Sequence, residues 1–512
     1  MDSLDPKGSA QGARDSVYGG KVRDPLVGKS SVGRLESPSG VGQAGSADCG
    51  ALVRIEVAVE SGVVVEAKYQ AYGCPATLAC AAAAVEKAQG LPILEAAGVG
   101  SVELAASLEL APDKIYTAET AIDALHSALG TAVTAALHEP AKERNPMEVL
   151  VGMSGGVDSA VAALLLREQG YRVVGVTLSL WNDPHSRGER SCCSPETVRR
   201  ARRVAHSLGI PHLTIDATGA FSESVVSYFV GEYESGRTPN PCAKCNSRVR
   251  FGLMLEVADW LGLSWVGTGH YARLLGEKRL LARGVDELKD QSYVLAEVDP
   301  AVLRRVLFPL GGMTKGTVRR MAAEAGLEGH GAPESQEICF VADDDHRRFL
   351  RERLGDRPGL IVDQAGHKLG EHTGTYNYTI GQRKGLNVPS QGPLYVVDID
   401  AGRSEVVVGT ADQLGVDAVT VGALTWHESR PSGPVSLQVR SSGAALSGRM
   451  QENELGLGIE GTVTVVLDCP AGAVALGQTG VVYQDEHVVC AGTILATRSE
   501  RVSAERGSRN GG

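Results

Sequence analysis

The chain has 512 residues, of which 43% are hydrophobic and 22% are charged, and its formal net charge is −11 at pH 7. This length exceeds what a single hydrophobic core serves, so we expect roughly three or four globular domains. The acidic balance argues against a protein that coats nucleic acid regardless of sequence.

The chain shows no membrane or export signal, and its cysteines point to chemistry. No apolar run reaches the length of a membrane span and residues 1–16 lack an apolar signal core, so we expect a cytoplasmic protein without a membrane partner. The ten cysteines include several close pairs. Without an export signal, this usage favours thiol or metal chemistry over structural disulfides.

The first third of the chain predicts a small α+β domain. Residues 1–16 are rich in Gly, Ser and Asp and read as a disordered tail. Alternating residues 52–59 and 63–69 flank Ser61-Gly62 and predict a hairpin, and helices follow at 78–89 and 118–137. Strands followed by helices predict an α+β domain over residues 17–138. The proline-containing stretch 139–146 reads as a linker.

This domain resembles the iron–sulfur scaffold proteins of the IscU/NifU type over roughly residues 17–135. The resemblance rests on four stretches, namely Val17-Tyr18, Ala47-Asp48-Cys49-Gly50, residues 69–74 and the helix after Lys114-Ile115. In that family three cysteines and one aspartate hold a nascent cluster. Cys49 and Cys74 fall on two cysteine positions, whereas the third falls near Thr117 and the aspartate is replaced by Ala51.

The resemblance therefore implies a degenerate scaffold, because two ligands out of four make a poor cluster site. Three roles stay open for it. It can be a docking module for a sulfur donor, a weak metal site in which Cys80 assists Cys49 and Cys74, or a domain kept only for packing or assembly.

A glycine-rich turn follows the linker. Residues 149–159 read Val-Leu-Val-Gly-Met-Ser-Gly-Gly-Val-Asp-Ser, and an apolar helical run follows at 160–166. A strand, a glycine turn and a helix present backbone N–H groups to a phosphate. The turn lacks the Lys-Ser/Thr pair of a Walker A loop and the spaced glycines of a dinucleotide fold.

The turn matches the Ser-Gly-Gly-x-Asp-Ser loop of the PP-loop ATP pyrophosphatases. That resemblance implies an enzyme that uses ATP with Mg²⁺, adenylates an oxygen of its substrate and releases pyrophosphate. Strands and helices alternate from residue 147, which predicts a parallel-sheet α/β domain over 147–354. The residues expected to hold ATP are Gly152, Met153, Ser154, Gly155, Gly156, Val157, Asp158, Ser159, Leu178 and Gly269.

After residue 354 the sequence pattern changes from helical periodicity to short alternating runs. Short alternating runs separated by glycine turns predict two β-rich modules, a small central one at 355–412 and a barrel-like one at 413–498. Residues 499–512 form a polar tail. Cys469 and Cys490 in this part read as core residues, and the adjacent pair Cys192-Cys193 reads as mainly structural.

Two cysteine motifs make the resemblance more specific. Residues 238–246 read Thr-Pro-Asn-Pro-Cys-Ala-Lys-Cys-Asn, and residues 335–340 read Ser-Gln-Glu-Ile-Cys-Phe. A Cys-x-x-Cys pair alone fits a redox pair, half a zinc site or part of an iron–sulfur site. With both motifs, residues 147 to about 496 resemble the tRNA-specific 2-thiouridylases of the MnmA type. Supporting stretches are residues 191–194, 267–271, 289–293, 381–386 and 477–478.

The resemblance implies a two-stage reaction. The C2 oxygen of a wobble uridine attacks the α-phosphate of ATP, and sulfur from a persulfide then displaces AMP. Cys339 would carry the persulfide and Cys245 would attack it, forming a transient disulfide. A cysteine desulfurase or a sulfur-relay protein would supply the sulfur. The residues expected to contact tRNA are Asn240, Pro241, Cys242, His270, Gln291, Ser292, Tyr293, Arg440, Ser441 and Gln478.

Cys242 departs from a common family pattern, which has an aspartate credited with acid–base work there. The change produces a set of three thiols, Cys242, Cys245 and Cys339, which is the ligand set of a [4Fe–4S] cluster with one open iron. Zinc is the other metal such a set suits. The cluster route and the simple persulfide–disulfide route both stay open at this point.

Two other functional classes stay open beside this one. One is a PP-loop synthetase that acts on a small molecule, against which the cysteine set counts. The other is an iron–sulfur assembly or trafficking protein with a vestigial ATP site, against which the intact glycine turn counts. The sequence carries no signal for an oligomeric state.

Overall fold

The computed structural model describes residues 31–46, 50–181, 194–328, 338–341, 345–451 and 461–499. Several residues singled out above lie outside these ranges, namely Val17, Tyr18, Cys49, Cys192, Cys193 and residues 335–337. Within the described ranges, no helix is both long enough and apolar enough to span a bilayer.

The N-terminal part is the expected α+β unit. Its three strands form an antiparallel sheet in the order β1-β2-β3, and its helices pack on one face. Their bounds are β1 Gly40–Ser46, β2 Ala51–Glu60, β3 Val63–Tyr72, α1 Pro75–Ala88, α2 Ile93–Ala96, α3 Ser101–Ser107 and α4 Ile115–Ala136. Alternate residues of β2, including Val53, Ile55 and Val57, are fully buried beneath these helices.

Helix α4 joins this unit to the next one through a continuous core. The same apolar cluster contains Leu125 and Leu129 of α4 together with Leu213 and Ile215 of the following sheet. At Gly130 a Cβ would lie 1.8 Å from the carbonyl oxygen of Thr214, so only glycine permits this close approach. The N-terminal unit is therefore packed against the following sheet and not merely tethered to it.

A five-stranded parallel sheet follows, which confirms the predicted α/β class. Its strand order is β10 (Val306–Leu307), β7 (Leu263–Gly267), β4 (Asn145–Gly152), β5 (Arg172–Ser179) and β6 (His212–Asp216). The central strand β4 ends at the glycine turn, so the turn lies at the carboxyl edge of the sheet. The elements are β4 Asn145–Gly152, α5 Val157–Glu168, β5 Arg172–Ser179, α6 Pro195–Ser207, β6 His212–Asp216, α7 Thr218–Phe221, α8 Ser227–Glu234, α9 Pro241–Cys245, α10 Phe251–Leu261 and β7 Leu263–Gly267.

A hairpin and short helices complete this region. They are β8 Ala272–Leu275, β9 Leu280–Arg283, α11 Ser292–Leu295, α12 Pro300–Leu303, β10 Val306–Leu307, α13 Lys315–Glu324 and α14 His346–Leu354. π-helical residues Asn246–Arg250 connect α9 to α10, so the chain stays helical from Pro241 to Leu261.

Two β modules close the chain, as the sequence predicted. The central one is a sheet in the order β12-β11-β14-β13, formed by β11 Gly359–Val362, β12 Lys368–His372, β13 Tyr395–Asp400 and β14 Glu405–Gly409. The C-terminal one comprises β15 Val416–Trp426, β16 Val435–Gln438, β17 Leu446–Gln451, β18 Val463–Ala471, β19 Thr479–Gln484 and β20 His487–Arg498.

The C-terminal sheet closes into a barrel because β15 pairs with both β18 and β20. Strands β9 and β8 of the preceding domain extend it, with His487 opposite Ala282. The core prediction for Cys490 is confirmed, since it is fully buried. The same prediction for Cys469 is wrong, because β18 turns this residue toward solvent.

Candidate active site

The glycine turn is shaped by its own serines. The Ser154 backbone N–H donates to Ser159 Oγ at 3.1 Å, and that hydroxyl donates to the Gly156 carbonyl at 3.0 Å. Gly155 has a φ of 70°, and a Cβ there would lie 2.6 Å from the Thr197 carbonyl oxygen. Helix α5 begins at Val157, so the turn places a helix N-terminus at the end of β4.

Gly269 lies directly against this turn. A Cβ at Gly269 would be 2.8 Å from the backbone nitrogen of Ser159, so glycine permits the loop after β7 to approach helix α5. Leu178 lies in β5 beside the central strand, paired with Ile215. Leu178 and Gly269, the two expected ATP-site residues outside the glycine turn, therefore belong to elements that reach the carboxyl edge of the sheet.

Asp158, in the first turn of α5, has two partners that sequence reasoning missed. Lys315 Nζ lies 2.7 Å from each carboxylate oxygen, and the Tyr271 hydroxyl donates to Oδ1 at 2.8 Å. Burial, and then the Asp158 carboxylate, raise the pKa of Tyr271, so its hydroxyl stays protonated and donates. For Lys315, the only signal in the sequence was its position directly after Thr314, a residue type that often caps the start of a helix. That pattern predicts a helix start and does not indicate a contact with Asp158.

The three candidate thiols belong to one neighbourhood. Cys242 and Cys245 lie on α9, whose N-terminus is capped by the Asn240 side chain accepting from the Ala243 N–H at 3.2 Å. Burial, followed by the nearby thiols of Cys339 and Cys245, raises the pKa of Cys242 to about 12. Cys242 and Cys339 are half-buried and Cys245 is buried.

An aromatic cluster surrounds the two expected sulfur-transfer cysteines. Cys245 belongs to an apolar cluster with Phe221, Phe340 and Phe349, and Cys339 packs against the same cluster. The Phe221 and Phe340 rings meet edge to face with centroids 5.5 Å apart. The cluster therefore places apolar side chains beside both cysteines and shields part of the site from water.

The three thiols are also the candidate ligands of a metal ion or cluster. Among the residues that the structure describes, no group of three or more His, Cys, Asp or Glu side chains is arranged to hold a metal ion.

Arg250 and His270 connect the thiols to the glycine turn. The Arg250 guanidinium lies close enough to act on both groups: it offsets part of the rise in the pKa of Cys242 and adds to the fall in the pKa of His270. Burial is the larger cause at His270 and lowers its pKa to about 3, so the ring is neutral at physiological pH. Its Nδ1 lies 2.8 Å from Thr268 Oγ1, in the loop that Gly269 packs against the turn.

The C-terminal barrel holds the loop in front of the cysteines. Gln478 Nε2 donates to the Pro239 carbonyl at 3.1 Å, and the Thr238 N–H donates to the Leu476 carbonyl at 2.8 Å. Asn240 and Pro241 are buried within this junction. The expected tRNA residues Asn240, Pro241 and Gln478 thus come together, although they are far apart in sequence.

The other expected tRNA residues divide into buried and exposed ones. Gln291 accepts the Tyr271 N–H at 3.0 Å, Ser292 lies 3.0 Å from the Tyr483 hydroxyl, and Tyr293 donates to the Thr479 carbonyl at 2.7 Å. Ser292 and Tyr293 are essentially inaccessible, so these side chains shape the junction from inside. Arg440 and Ser441 are exposed at the rim of the barrel.

Among the described residues of the scaffold unit, Cys74 is the candidate reactive thiol. Cys74 immediately precedes α1, and its pKa is lowered overall. Burial alone would raise this pKa, but hydrogen bonds from the Thr77 hydroxyl and from two backbone N–H groups, together with the charge of Lys114, outweigh burial. Cys80 is fully buried with its sulfur 3.4 Å from Thr117 Oγ1, and burial raises its pKa to about 11. Cys80 is thus a packed thiol beside the position where the family has its third ligand.

Comparison with family models divides the chain into four matched segments. Residues 17–134 match a NifU-like N terminal domain and residues 147–343 match a tRNA methyl transferase HUP domain. Residues 347–410 match a tRNA methyl transferase PRC-barrel domain, and residues 416–494 match an aminomethyltransferase beta-barrel domain.

Curated relatives cover almost the whole chain. A bifunctional protein NifU/MnmA of Rubrobacter xylanophilus is 42% identical over 492 residues, which cover 94% of this chain and 99% of that protein. The tRNA-specific 2-thiouridylases MnmA of Streptomyces coelicolor and Thermobifida fusca are 43% and 44% identical, each covering 70% of this chain and 97% and 98% of their own lengths. The chain therefore belongs to the family of bifunctional NifU/MnmA proteins, in which a NifU-like domain precedes a tRNA-specific 2-thiouridylase.

Proposed function

We propose that the chain is a tRNA-uridine 2-sulfurtransferase that makes 2-thiouridine at the wobble position of tRNA. The observation that carries this proposal is the convergence of two groups on one site. The thiols of Cys242, Cys245 and Cys339 form one neighbourhood, and Arg250 acts on both Cys242 and His270 beside the glycine turn. We infer from these contacts that the activating loop and the sulfur-carrying cysteines serve one site.

The first step is activation of the uridine. The C2 oxygen attacks the α-phosphorus of ATP, a new P–O bond forms, and the bond to the β-phosphate breaks to release pyrophosphate. The turn of residues 152–159 would hold the phosphates with Mg²⁺, and Leu178 and Gly269 would border the nucleoside. Adenylation is needed because the carbonyl oxygen is a poor leaving group, whereas AMP leaves readily.

The second step transfers sulfur with balanced electrons. A persulfide on Cys339 attacks C2 through its terminal sulfur, and the C2–O bond breaks to release AMP. The Cys245 thiolate then attacks the inner sulfur of Cys339, which frees the thiocarbonyl and leaves a Cys245–Cys339 disulfide. The two electrons that reduce the transferred sulfur come from these two cysteines, so an external thiol must reduce the disulfide before the next turnover.

We favour the persulfide route over a [4Fe–4S] route. The route through Cys339 and Cys245 does not need Cys242 as a thiolate, and burial with the neighbouring thiols raises the pKa of Cys242 in the free protein. A cluster would have to displace the proton of that thiol when it binds.

We assign the substrate and donor surfaces to different parts of the chain. The junction of Asn240, Pro241 and Gln478, with the exposed Arg440 and Ser441, is our candidate surface for a splayed-out tRNA base. We assign the scaffold unit the role of docking a cysteine desulfurase or sulfur-relay protein, because half-buried Cys74 is held toward its thiolate form. We place the reaction in the cytoplasm.

The test is mass spectrometry of tRNA nucleosides after incubation of the full chain with tRNA, ATP and a sulfur source. We expect 2-thiouridine from the wild type, none from Cys339→Ser or Cys245→Ser, and a normal yield from Cys469→Ser, the exposed control. Pyrophosphate release should depend on tRNA. Protein purified without oxygen should contain no iron; iron that is lost together with activity would overturn the persulfide route.

A further inference from the structure

The contact between Lys315 and Asp158 brings a cation to the place where the phosphates of ATP should bind. Lys315 is 157 positions further along the chain and lies at the first position of α13, yet its ammonium contacts both oxygens of the Asp158 carboxylate at 2.7 Å. Its side chain is only 12% exposed, so the ammonium is directed inward at the end of the glycine turn.

The position of Lys315 is fixed from two sides. The Thr314 side chain caps α13 by accepting from the Thr317 N–H at 3.3 Å, and the Asp286 carboxylate accepts the backbone N–H of Lys315 at 2.8 Å. The backbone is thus anchored while the long side chain reaches the turn. Such an arrangement keeps the ammonium near one spot but lets its tip move between neighbouring oxygens.

Asp158 does not depend on Lys315 alone. The Tyr271 hydroxyl also donates to its Oδ1, and Arg319, one turn further along α13, lies close enough to Tyr271 to offset part of the rise in that residue's pKa. On the opposite side, Arg200 Nε donates to the Gly155 carbonyl at 2.7 Å. The turn is therefore surrounded by cationic groups from two helices, α6 and α13, besides its own N–H groups.

We propose that Lys315 is a catalytic residue that binds the pyrophosphate leaving group of ATP. In the nucleotide-free protein its ammonium is held on the Asp158 carboxylate. When ATP binds, the ammonium would contact β- and γ-phosphate oxygens, and the Asp158 carboxylate would then be free to hold the Mg²⁺ that accompanies the nucleotide. The inference rests on the adenylation proposed above.

The chemical contribution is electrostatic. As the bond between the α-phosphorus and the bridging oxygen breaks, negative charge grows on the departing pyrophosphate, and a nearby fixed cation stabilises that charge. Lys315 keeps its proton throughout, so no proton or electron is transferred through it. A lysine suits this task because its ammonium donates three hydrogen bonds to oxygens in varied directions.

The test measures binding of two probes to the full chain by calorimetry, magnesium pyrophosphate and AMP. We expect Lys315→Met to weaken pyrophosphate binding roughly ten- to hundredfold, the range for a lost hydrogen bond to a charged group, and to leave AMP binding within about twofold. Lys315→Arg should retain most of the pyrophosphate affinity. Lys278→Met, at an exposed position of the β8–β9 turn, is the matched control and should bind both probes normally.

Three results would overturn the inference. The first is a wild type that does not bind magnesium pyrophosphate, and the second is a Lys315→Met variant with unchanged affinity for it. The third is an equal loss of affinity for pyrophosphate and AMP in Lys315→Met, which would mean that Lys315 only supports the turn. The binding test needs no tRNA. If pyrophosphate binding depends on Lys315 as expected but the wild type forms no 2-thiouridine, the proposed function would be refuted and this inference would still stand.

Discussion

Lys244 Nζ lies 2.5 Å from Glu297 Oε2 inside the junction between the cysteine helix and the C-terminal barrel. Both side chains are less than a tenth exposed, and the Thr479 hydroxyl donates to the other carboxylate oxygen at 2.8 Å. Lys244 lies between Cys242 and Cys245 on α9. Its ion pair therefore anchors the helix that carries both thiols against the barrel.

Replacing Glu297 by Gln should therefore loosen the cysteine helix. The ammonium of Lys244 would stay buried without its counter-charge, which costs about 3–5 kcal/mol in comparable buried pairs. Urea unfolding followed by tryptophan fluorescence measures the loss. Glu371→Gln is the control, because its exposed pair with Lys368 should leave the unfolding midpoint unchanged. A Glu297→Gln midpoint equal to that of the control would show that the pair does not support the junction.

The thiols should differ in reactivity in a defined order. The lowered pKa of Cys74 favours its thiolate, whereas the pKa of Cys242 is raised to about 12 and that thiol stays protonated near neutral pH. Timed alkylation with iodoacetamide near pH 8, followed by peptide mass spectrometry, should modify Cys74 well before Cys242. Cys490, which is fully buried, serves as the slow reference. Equal rates for Cys74 and Cys242 would contradict this order.

The same pKa predicts a graded effect of serine substitutions. A protonated Cys242 is a poor nucleophile, so Cys242→Ser should lower the rate of thiolation less than Cys245→Ser or Cys339→Ser does. Single-turnover formation of 2-thiouridine measures the three variants. If Cys242→Ser were as inactive as the other two, Cys242 would have to act as a thiolate.

The scaffold unit should come loose when Asp123 is neutralised. Its carboxylate lies 2.6 Å from both Arg199 Nε and Arg202 Nη1 of α6, and Arg202 is buried. Asp123→Asn leaves two guanidinium groups without this partner, so trypsin should cut the connecting segment at Lys142 and Arg144 at least about tenfold faster. Asp113→Asn, at an exposed position on the same unit, is the control. Unchanged cleavage by Asp123→Asn would show that the apolar core alone holds the units together.

The same interface should lose stability in mild acid. His126, His206 and His212 lie at this interface, and burial lowers the pKa of each below the ordinary value of 6.5, with Arg202 adding to the effect. The unfolded chain therefore binds protons that the folded chain does not, so stability is complete above pH 6.5 and falls as the pH drops below it. Urea midpoints at about pH 8 and about pH 5.5 measure this loss. His367→Gln, at an exposed site, should not alter it, whereas a midpoint independent of pH would contradict it.

The sequence predicted the fold well where local signals were strong. Periodicity and turn residues placed the hairpin, the helices around Cys80 and Leu129, and the parallel sheet after the linker. The sequence did not predict that β8 and β9 extend the C-terminal barrel, because that pairing joins residues about two hundred positions apart through one register contact, His487 with Ala282. Pairing over such distances leaves no periodic trace in either segment.

The site shows the same division. The glycine turn and the cysteine motifs are contiguous in sequence, so they could be recognised directly. Lys315 and the Lys244–Glu297 pair could not be recognised, since each depends on a contact between distant elements. Ser292 and Tyr293 were expected from the sequence to contact tRNA, yet their hydroxyls are satisfied by internal partners. Only the packed structure shows which polar groups are already in use.

The most direct test of convergence on one pocket is disulfide mapping in a single turnover. Full-length protein carrying a persulfide on Cys339 would be mixed with tRNA and ATP, quenched with acid and digested for peptide mass spectrometry. We predict one Cys245–Cys339 disulfide for each 2-thiouridine formed, and neither product when ATP is omitted. Formation of 2-thiouridine without that disulfide, or of the disulfide without ATP, would contradict the account.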